Sequence, residues 1–365
     1  MTLGEELDAA NGNPSGFNYT RLFLALAVVA WHTVIVCYGL KAEEPFWNGP
    51  MRPAIFAILP AFFALGGFLV ASSAFRNTIP GFLALRAIRL YPALIFEVVT
   101  FSIIIGPFIT TCSPGEYFSD GELYLYLLNT TGYIHYYLPG VFSNNPAGPA
   151  VNLQLWTIPR EFECYALLTG LSLIGFTRRP ILIALALFLM SLCAMMRDQH
   201  ALIGSGPPAR LLILSFLAGI LLYTWKDRIT NHVICFVIAV ALSWFLLRDP
   251  RLMSLSPFPI AYATVWLGLK NPRKTWLVAS GDYSYGLYLY GYPTQQLVAH
   301  LLPDLRIWYW NGLISLVVAF TLAYVSWHVI EEPILKRKRH ILALLRATPD
   351  QRRRAMIPLA VPEPA

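Results

Sequence analysis

The chain has 365 residues, of which 56% are hydrophobic and 13% charged, with a net charge of +7 and a mean hydropathy of +0.55. Soluble domains carry about 25% charged residues, so a single large soluble enzyme, a disordered chain and a disulfide scaffold are set aside. An all-α, polytopic transmembrane helical bundle remains, since one span uses about 20 apolar residues and the alternating strands of a β-barrel are absent.

The chain divides into an N-terminal segment 1–20, a membrane domain 21–336 and a basic tail 337–365. Residues 1–20 hold Glu5, Glu6 and Asp8 but neither Lys nor Arg, so no cleavable signal peptide is expected. About ten spans follow, near 21–40, 51–75, 83–110, 155–176, 179–196, 208–225, 231–247, 253–270, 283–301 and 307–332. Between the third and fourth lies a long loop, 111–154, whose apolar stretch 122–138 reads as re-entrant or interfacial. With both termini cytoplasmic, Arg76, Arg178, Arg179, Lys226, Arg228, Lys270, Arg273, Lys274 and the run Lys336–Arg339 fall inside. The outside connections hold fewer, namely Lys41, Arg197, Arg248, Arg251 and Arg306, as the positive-inside rule requires. The loop 111–154 is then extracytoplasmic. The five cysteines form no C-x-x-C pair, so neither a metal site nor a disulfide framework is expected.

An ionisable side chain within a bilayer is costly and therefore a functional candidate. Arg21 and His32 bracket the first span eleven residues apart, which at about 100° per residue sets both on one face and about 16 Å apart. His32 reads either as a general base or acyl-carrying nucleophile, or as a structural histidine bonded to a neighbouring helix. Arg86 and Arg89, at i,i+3 in the third span, form a guanidinium pair suited to phosphate or a pair of snorkelling interface arginines. Glu97, two turns deeper, is a candidate partner for Arg89. At the start of the fourth span Arg160 and Glu163 pair at i,i+3 and leave Glu161 on another face, at a depth within about one helical turn of His32. A carboxylate–imidazole site is therefore geometrically open, as is a plain helix-entry charge cluster. His328 and Glu331 close the last span as a helix-end cluster. The small-residue stretches Ala64–Gly67 and Ala71–Ala74 suit close helix packing. The tyrosine-rich stretch Tyr283–Tyr292 suits either a sugar site or an interfacial belt.

Taken in order, these segments resemble acyltransferase family 3, the bacterial membrane enzymes that O-acylate sugars of exopolysaccharide, lipopolysaccharide and related glycans. The likeness covers roughly 18–336. It rests on Arg21 with His32, on Arg86 and Arg89 with Tyr91 and Pro92, and on Leu155–Pro159 with Glu161 and Tyr165. Tyr283–Leu289 and His328-x-x-Glu331-x-Pro333 complete it. Gly66 stands where many members have Ser, and Gly291 where many have His.

The resemblance implies an O-acyltransferase, and an O-acetyltransferase in particular, of the cytoplasmic (inner) membrane. Acetyl-CoA or another acyl-CoA would be co-substrate, with no tightly bound cofactor. The acceptor would be a polysaccharide or lipid-linked sugar, with membrane lipid and polysaccharide-assembly proteins as surroundings and no nucleic acid. It implies catalytic roles for His32, Glu161 and Arg21, with Glu161 orienting His32, and donor binding by Arg86 and Arg89. Trp156, Tyr165, Ser284, Tyr285 and Glu331 would serve the acceptor or support the site. With no fused extracytoplasmic esterase-like domain, transfer would finish in the membrane domain or in a separate protein. A secondary transporter using the buried Arg, His and Glu for ion or anion coupling is the alternative, although no internal repeat favours it.

Overall fold

The computed structural model describes residues 1–173, 175, 179–198 and 206–346. Arg178, used in the orientation reading, and the part of the basic tail from residue 347 onward lie outside the described residues. Among those described, helix dominates and the only β pairing is an isolated bridge between Thr2 and Thr230.

The chain opens with α1 (Leu3–Ala9), started by a capping box in which Thr2 and Glu5 satisfy each other's backbone N–H groups. Helix α2 (Gly16–Tyr38) ends at Gly39, whose φ of 85° stops the helix. Next come α3 (Arg52–Arg76) and α4 (Ile79–Val99), the latter prolonged through a π-helical turn, Thr100–Ile105, to Ile109. Two short helices, α5 (Pro114–Ser119) and α6 (Gly121–Leu127), lie in the long loop. They are followed by α7 (Thr157–Leu173), α8 (Pro180–Asp198), α9 (Ala209–Thr224), α10 (Val233–Arg248) and α11 (Pro257–Gly268). Helices α12 (Ser284–Leu301), α13 (Trp308–Ser326) and α14 (Lys338–Arg346) complete the order.

A helix stands at every stretch read as a span, but among the described residues five helices are long and apolar enough to cross a membrane by length and composition. These are α2, α3, α4 with its extension, α8, and the rod running from α13 to Leu345. Helices α9 and α10 are apolar but shorter. Polarity and length account for others: α7 starts with Arg160, Glu161 and Glu163, α12 carries Gln295 and Gln296, and α11 has 12 residues.

The two largest apolar clusters among the described residues both draw on α4. One gathers Ala25, Leu94, Leu155, Tyr290 and Ala319 from α2, α4, α12, α13 and the approach to α7. The other gathers Ala64, Leu90, Leu168, Leu187 and Phe216 from α3, α4, α7, α8 and α9. Phe162 and Tyr285 pack against both, which puts the interior between them next to the charged segments. Helices α3 and α9 touch backbone to backbone: a Cβ on Gly67 would lie 2.0 Å from the Phe216 carbonyl, and one on Gly219 2.0 Å from that of Ala64. The adjacent Gly66 and Gly67 therefore differ in role, since a Cβ on Gly66 would meet nothing within 4 Å.

The loop 111–154 is pinned down rather than loose. The Tyr117 hydroxyl donates to the Ser102 carbonyl at 2.7 Å, satisfying a group in the π turn. Asn145 donates to Gln296, and Gln296 donates to the Gly148 and Ala150 carbonyls. The 122–138 stretch is thus α6, a 3₁₀ turn and irregular chain seated on α4.

Candidate active site

The charged residues form a network where the second turn of α2 and the middle of α4 meet the approach to α12 and the π-helical turn after α13. Arg89 donates to Asp282 at 2.7 Å and to Glu331 at 2.9 Å, while Arg21 meets the same Asp282 oxygen at 3.0 Å. Arg21 is further fixed by Asn18 at 2.6 Å. Asp282 is held from its own helix by the Ser284 hydroxyl at 2.7 Å. Burial opposes its charge, but Arg21 and Arg89 outweigh that and hold the carboxyl down at about 2. Glu331, 1% exposed, also accepts from Ser326 at 3.0 Å, and Ser326 accepts from Tyr290 at 2.8 Å. Each charged group in this chain meets an opposite charge, as buried charge requires, though the Arg21 Nε is buried without a partner.

Arg86 differs from its neighbour. No direct ion pair reaches it among the described residues, its Nε is buried without a partner, and it lines a cavity of about 190 Å³. Arg21, Arg89, Glu161, Tyr165, Ser284 and Tyr285 line the same cavity, with Phe62, Phe63, Gly66 and Phe216 forming its apolar wall. Glu161 accepts a hydrogen bond from Tyr165, one turn on, and Arg160 pairs with Glu163 at 2.7 Å on the outer face of α7. The guanidinium of Arg89 also lies 5.5 Å from the Tyr285 ring.

A second cavity, about 430 Å³, opens further along α2. His32 lines it together with Trp31, Trp47, Trp156, Tyr136, Glu43 and Gln154. The imidazole stands edge-on to Tyr292, ring centres 5.2 Å apart. No hydrogen-bond partner holds its nitrogens among the described residues, so the ring is free to meet a ligand. Gly291, beside Tyr292, lies against Val29 of α2, where a Cβ would come within 2.7 Å of the valine methyl. The space a histidine would need there is filled.

Three sequence expectations are corrected. Glu161 and His32 line different cavities: Glu161 shares one with Arg86 and Arg89 of α4, and His32, further along α2 than Arg21, lines the other. Glu97 does not pair with Arg89; it is wholly buried and accepts from Asn152 and Tyr126 of the loop, so it anchors that loop. His328 and Glu331 do not act as one cluster. The π-helical turn Trp327–Glu331 rotates them apart, sending Glu331 inward to Arg89 and His328 to Tyr283 at 2.9 Å and Glu332 at 3.4 Å.

The remaining candidates divide cleanly. Arg21, Arg86, Arg89, Glu161, Tyr165, Ser284 and Tyr285 surround the first cavity, His32 and Trp156 the second, and Glu331 supports Arg89 from behind. Two residues had no sequence signal strong enough to draw attention. Asp282 lies just outside the tyrosine-rich helix and looks like a loop residue, though it is the one acid beside Ser284. Tyr288 is one tyrosine among several, yet it lines both cavities.

A helical bundle with buried arginine, carboxylate and imidazole groups around two cavities is the architecture of a membrane enzyme or carrier. The comparisons with known proteins decide between them. The family described as the acyltransferase domain, acyltransferase family 3, matches residues 15–328. The chain belongs to this family and is an acyl-transferring, multi-pass membrane protein. It is similar to the O-acetyl transferase of Shigella phage Sf6, 25% identical over 354 residues, covering 90% of this chain and 98% of that one. It is also similar to nodulation protein 10 of Rhizobium leguminosarum bv. viciae, 22% identical over 372 residues, covering 93% and 98%. No solved structure matches the chain.

Proposed function

We propose that the protein is an O-acyltransferase of the cytoplasmic membrane that moves an acyl group, acetyl in the first instance, from acyl-CoA to a hydroxyl of a cell-surface polysaccharide or lipid-linked sugar. It crosses the membrane about ten times, with both termini in the cytoplasm. The observation that carries this reading is the pair of adjoining cavities, one with an unpaired guanidinium and the other with an unpaired imidazole. The name of the phage Sf6 relative supports the acetyl group and the oxygen acceptor.

The first cavity is the donor side. Phosphate prefers a guanidinium to an ammonium because two N–H groups can grip it at once. Arg86 is the arginine available for this, since Arg89 and Arg21 already serve Asp282 and Glu331. At about 190 Å³ the space is smaller than the roughly 300–1,000 Å³ of a drug-sized site. It suits the narrow acyl-bearing arm, with the nucleotide left at the mouth. Glu161 and Tyr165 serve this side and not His32.

The second cavity is the acceptor side. Trp31, Trp47, Trp156 and Tyr136 offer flat apolar faces for a sugar ring, and Glu43 and Gln154 offer hydrogen bonds. A neutral imidazole presents a basic ring nitrogen, so His32 can take the acceptor proton, or accept the acyl group and pass it on. In either case the thioester C–S bond breaks and an ester C–O bond forms. The proton lost by the hydroxyl ends on the released thiol.

The test is acyl-CoA consumption by the purified protein in detergent with a polysaccharide acceptor. His32→Ala is expected to abolish consumption while the protein still inserts and melts normally. A normal rate in that variant overturns the reading. Radiolabel retained on the denatured protein marks a covalent acyl-histidine, and its absence marks direct transfer.

A further inference from the structure

Among the described residues, the two cavities share two lining residues, Leu59 of α3 and Tyr288 of α12. Tyr288 lies one turn into α12. Ser284 and Tyr285 lie one turn before it, in the arginine cavity, and Tyr292 one turn after it, against His32. Each step is about 6 Å along the helix axis. A path from the cavity of Arg86 to that of His32 along this face of α12 runs past the Tyr288 ring.

The ring is held across that path from both sides. Its hydroxyl bonds to the Thr157 hydroxyl at 2.6 Å and to the Gln154 carbonyl at 3.1 Å. Thr157 also reaches the Gln154 carbonyl at 3.1 Å, so the three oxygens form a closed set at the start of α7. Gln154 is itself fixed to α12 through the Leu289 carbonyl at 2.6 Å. The tether straddles the boundary, since Thr157 lines the first cavity and Gln154 the second. On the far side Phe62 packs edge-on to the Tyr288 ring at 6.0 Å. Neutral hydrogen bonds of this kind close a passage at rest yet yield to a bound ligand.

We propose that Tyr288, backed by Leu59, is the acyl-selecting partition between the two cavities, a positioning residue that admits a short acyl group toward His32 and bars longer chains and water. This rests on the donor and acceptor cavities assigned above. A closed partition has a chemical purpose. A continuous wet channel would let water attack the thioester, giving free carboxylic acid and thiol in place of an ester.

Two measurements test it. The first needs no catalysis. Ile58→Cys lines only the second cavity and Gly66→Cys only the first. In sealed vesicles of one orientation, a membrane-impermeant methanethiosulfonate reagent is applied from each side and peptides are read by mass spectrometry. Ile58→Cys is expected to react only from the side of the second cavity, and from both sides once Tyr288→Ala is added. Reaction from both sides with Tyr288 intact, or from one side only after its removal, overturns the partition.

The second measurement compares thiol release from acetyl-CoA and octanoyl-CoA. Tyr288→Ala is expected to raise the octanoyl-to-acetyl ratio at least ~10-fold, the scale on which apolar pockets sort chain length. Tyr288→Phe keeps the ring but loses the tether, so it retains the acetyl preference while raising release without acceptor. Leu59→Ala repeats the test from the opposite wall should Tyr288→Ala fail to fold. Acyl-CoA consumption with an unchanged ratio in these variants overturns the partition. The expected labelling with no acyl-CoA consumed by any form, wild type included, supports the partition and overturns the donor assignment instead.

Discussion

Adjacent arginines in one motif have unlike duties. Arg89 is locked between Asp282 and Glu331, whereas Arg86 faces open space. Arg86→Ala is expected to raise KM for acyl-CoA by ~10–100-fold, the worth of a charge-assisted contact, while the protein melts as the wild type does. Arg89→Ala strands Glu331 in the interior and is expected to cost about 3–5 kcal/mol of stability, seen as a lower melting temperature in detergent before any kinetic effect is read. Asp282 adds a pH signature. Its depressed carboxyl lends stability that is fully present above the ordinary carboxylate value of about 3.9 and fades as pH falls through about 2. Asp282→Asn should therefore melt below the wild type equally at pH 5 and pH 8, with the gap closing toward pH 2. A gap that widens in acid contradicts the ion-pair account. The sequence exposed Arg21, His32, Arg86, Arg89 and Glu161 because charge inside an apolar run stands out. It could not say which carboxylate meets which guanidinium. Asp282 approaches Arg21 across more than two hundred residues, and no local spacing encodes that contact.

At the scale of elements, the closest contact is the crossing of α3 and α9, made possible by Gly67 and Gly219. Gly67→Leu drives a side chain into the Phe216 carbonyl and is expected to cost about 3 kcal/mol or more, while Gly66→Ala is tolerated and even stabilising because that helical glycine faces open space. Melting of the two variants in detergent separates the roles. The loop offers a second check. Asn152 ties it to Glu97 on α4, so Asn152→Ala should speed proteolytic cutting within 111–154 without altering the helix content. Helix positions were legible because apolar runs broken by Pro, Gly and charge mark them directly. The π-helical turns were not. Inserting one residue per turn at Thr100–Ile105 and Trp327–Glu331 leaves no compositional trace, yet it re-aims Glu331 toward Arg89 and sends His328 elsewhere.

Across the whole molecule, the division of labour follows the length of α2. Arg21 begins it among the acids of α12 and the last helix, and His32 lies about 16 Å further on among tryptophans from the loops and α7. The depth argument that joined Glu161 to His32 treated the helices as parallel rulers, and it failed because two helices at equal depth can still face different cavities. On the proposed assignment, a donor gripped at one end and an acceptor seated at the other would make acyl transfer a transmembrane event. The direct measurement uses proteoliposomes of a single orientation, with radiolabelled acetyl-CoA on the Arg86 side and a cell-surface polysaccharide extract on the His32 side. Labelled ester is expected on the polysaccharide, and to vanish with His32→Ala. Ester formed only when both substrates share the Arg86 side would contradict the account.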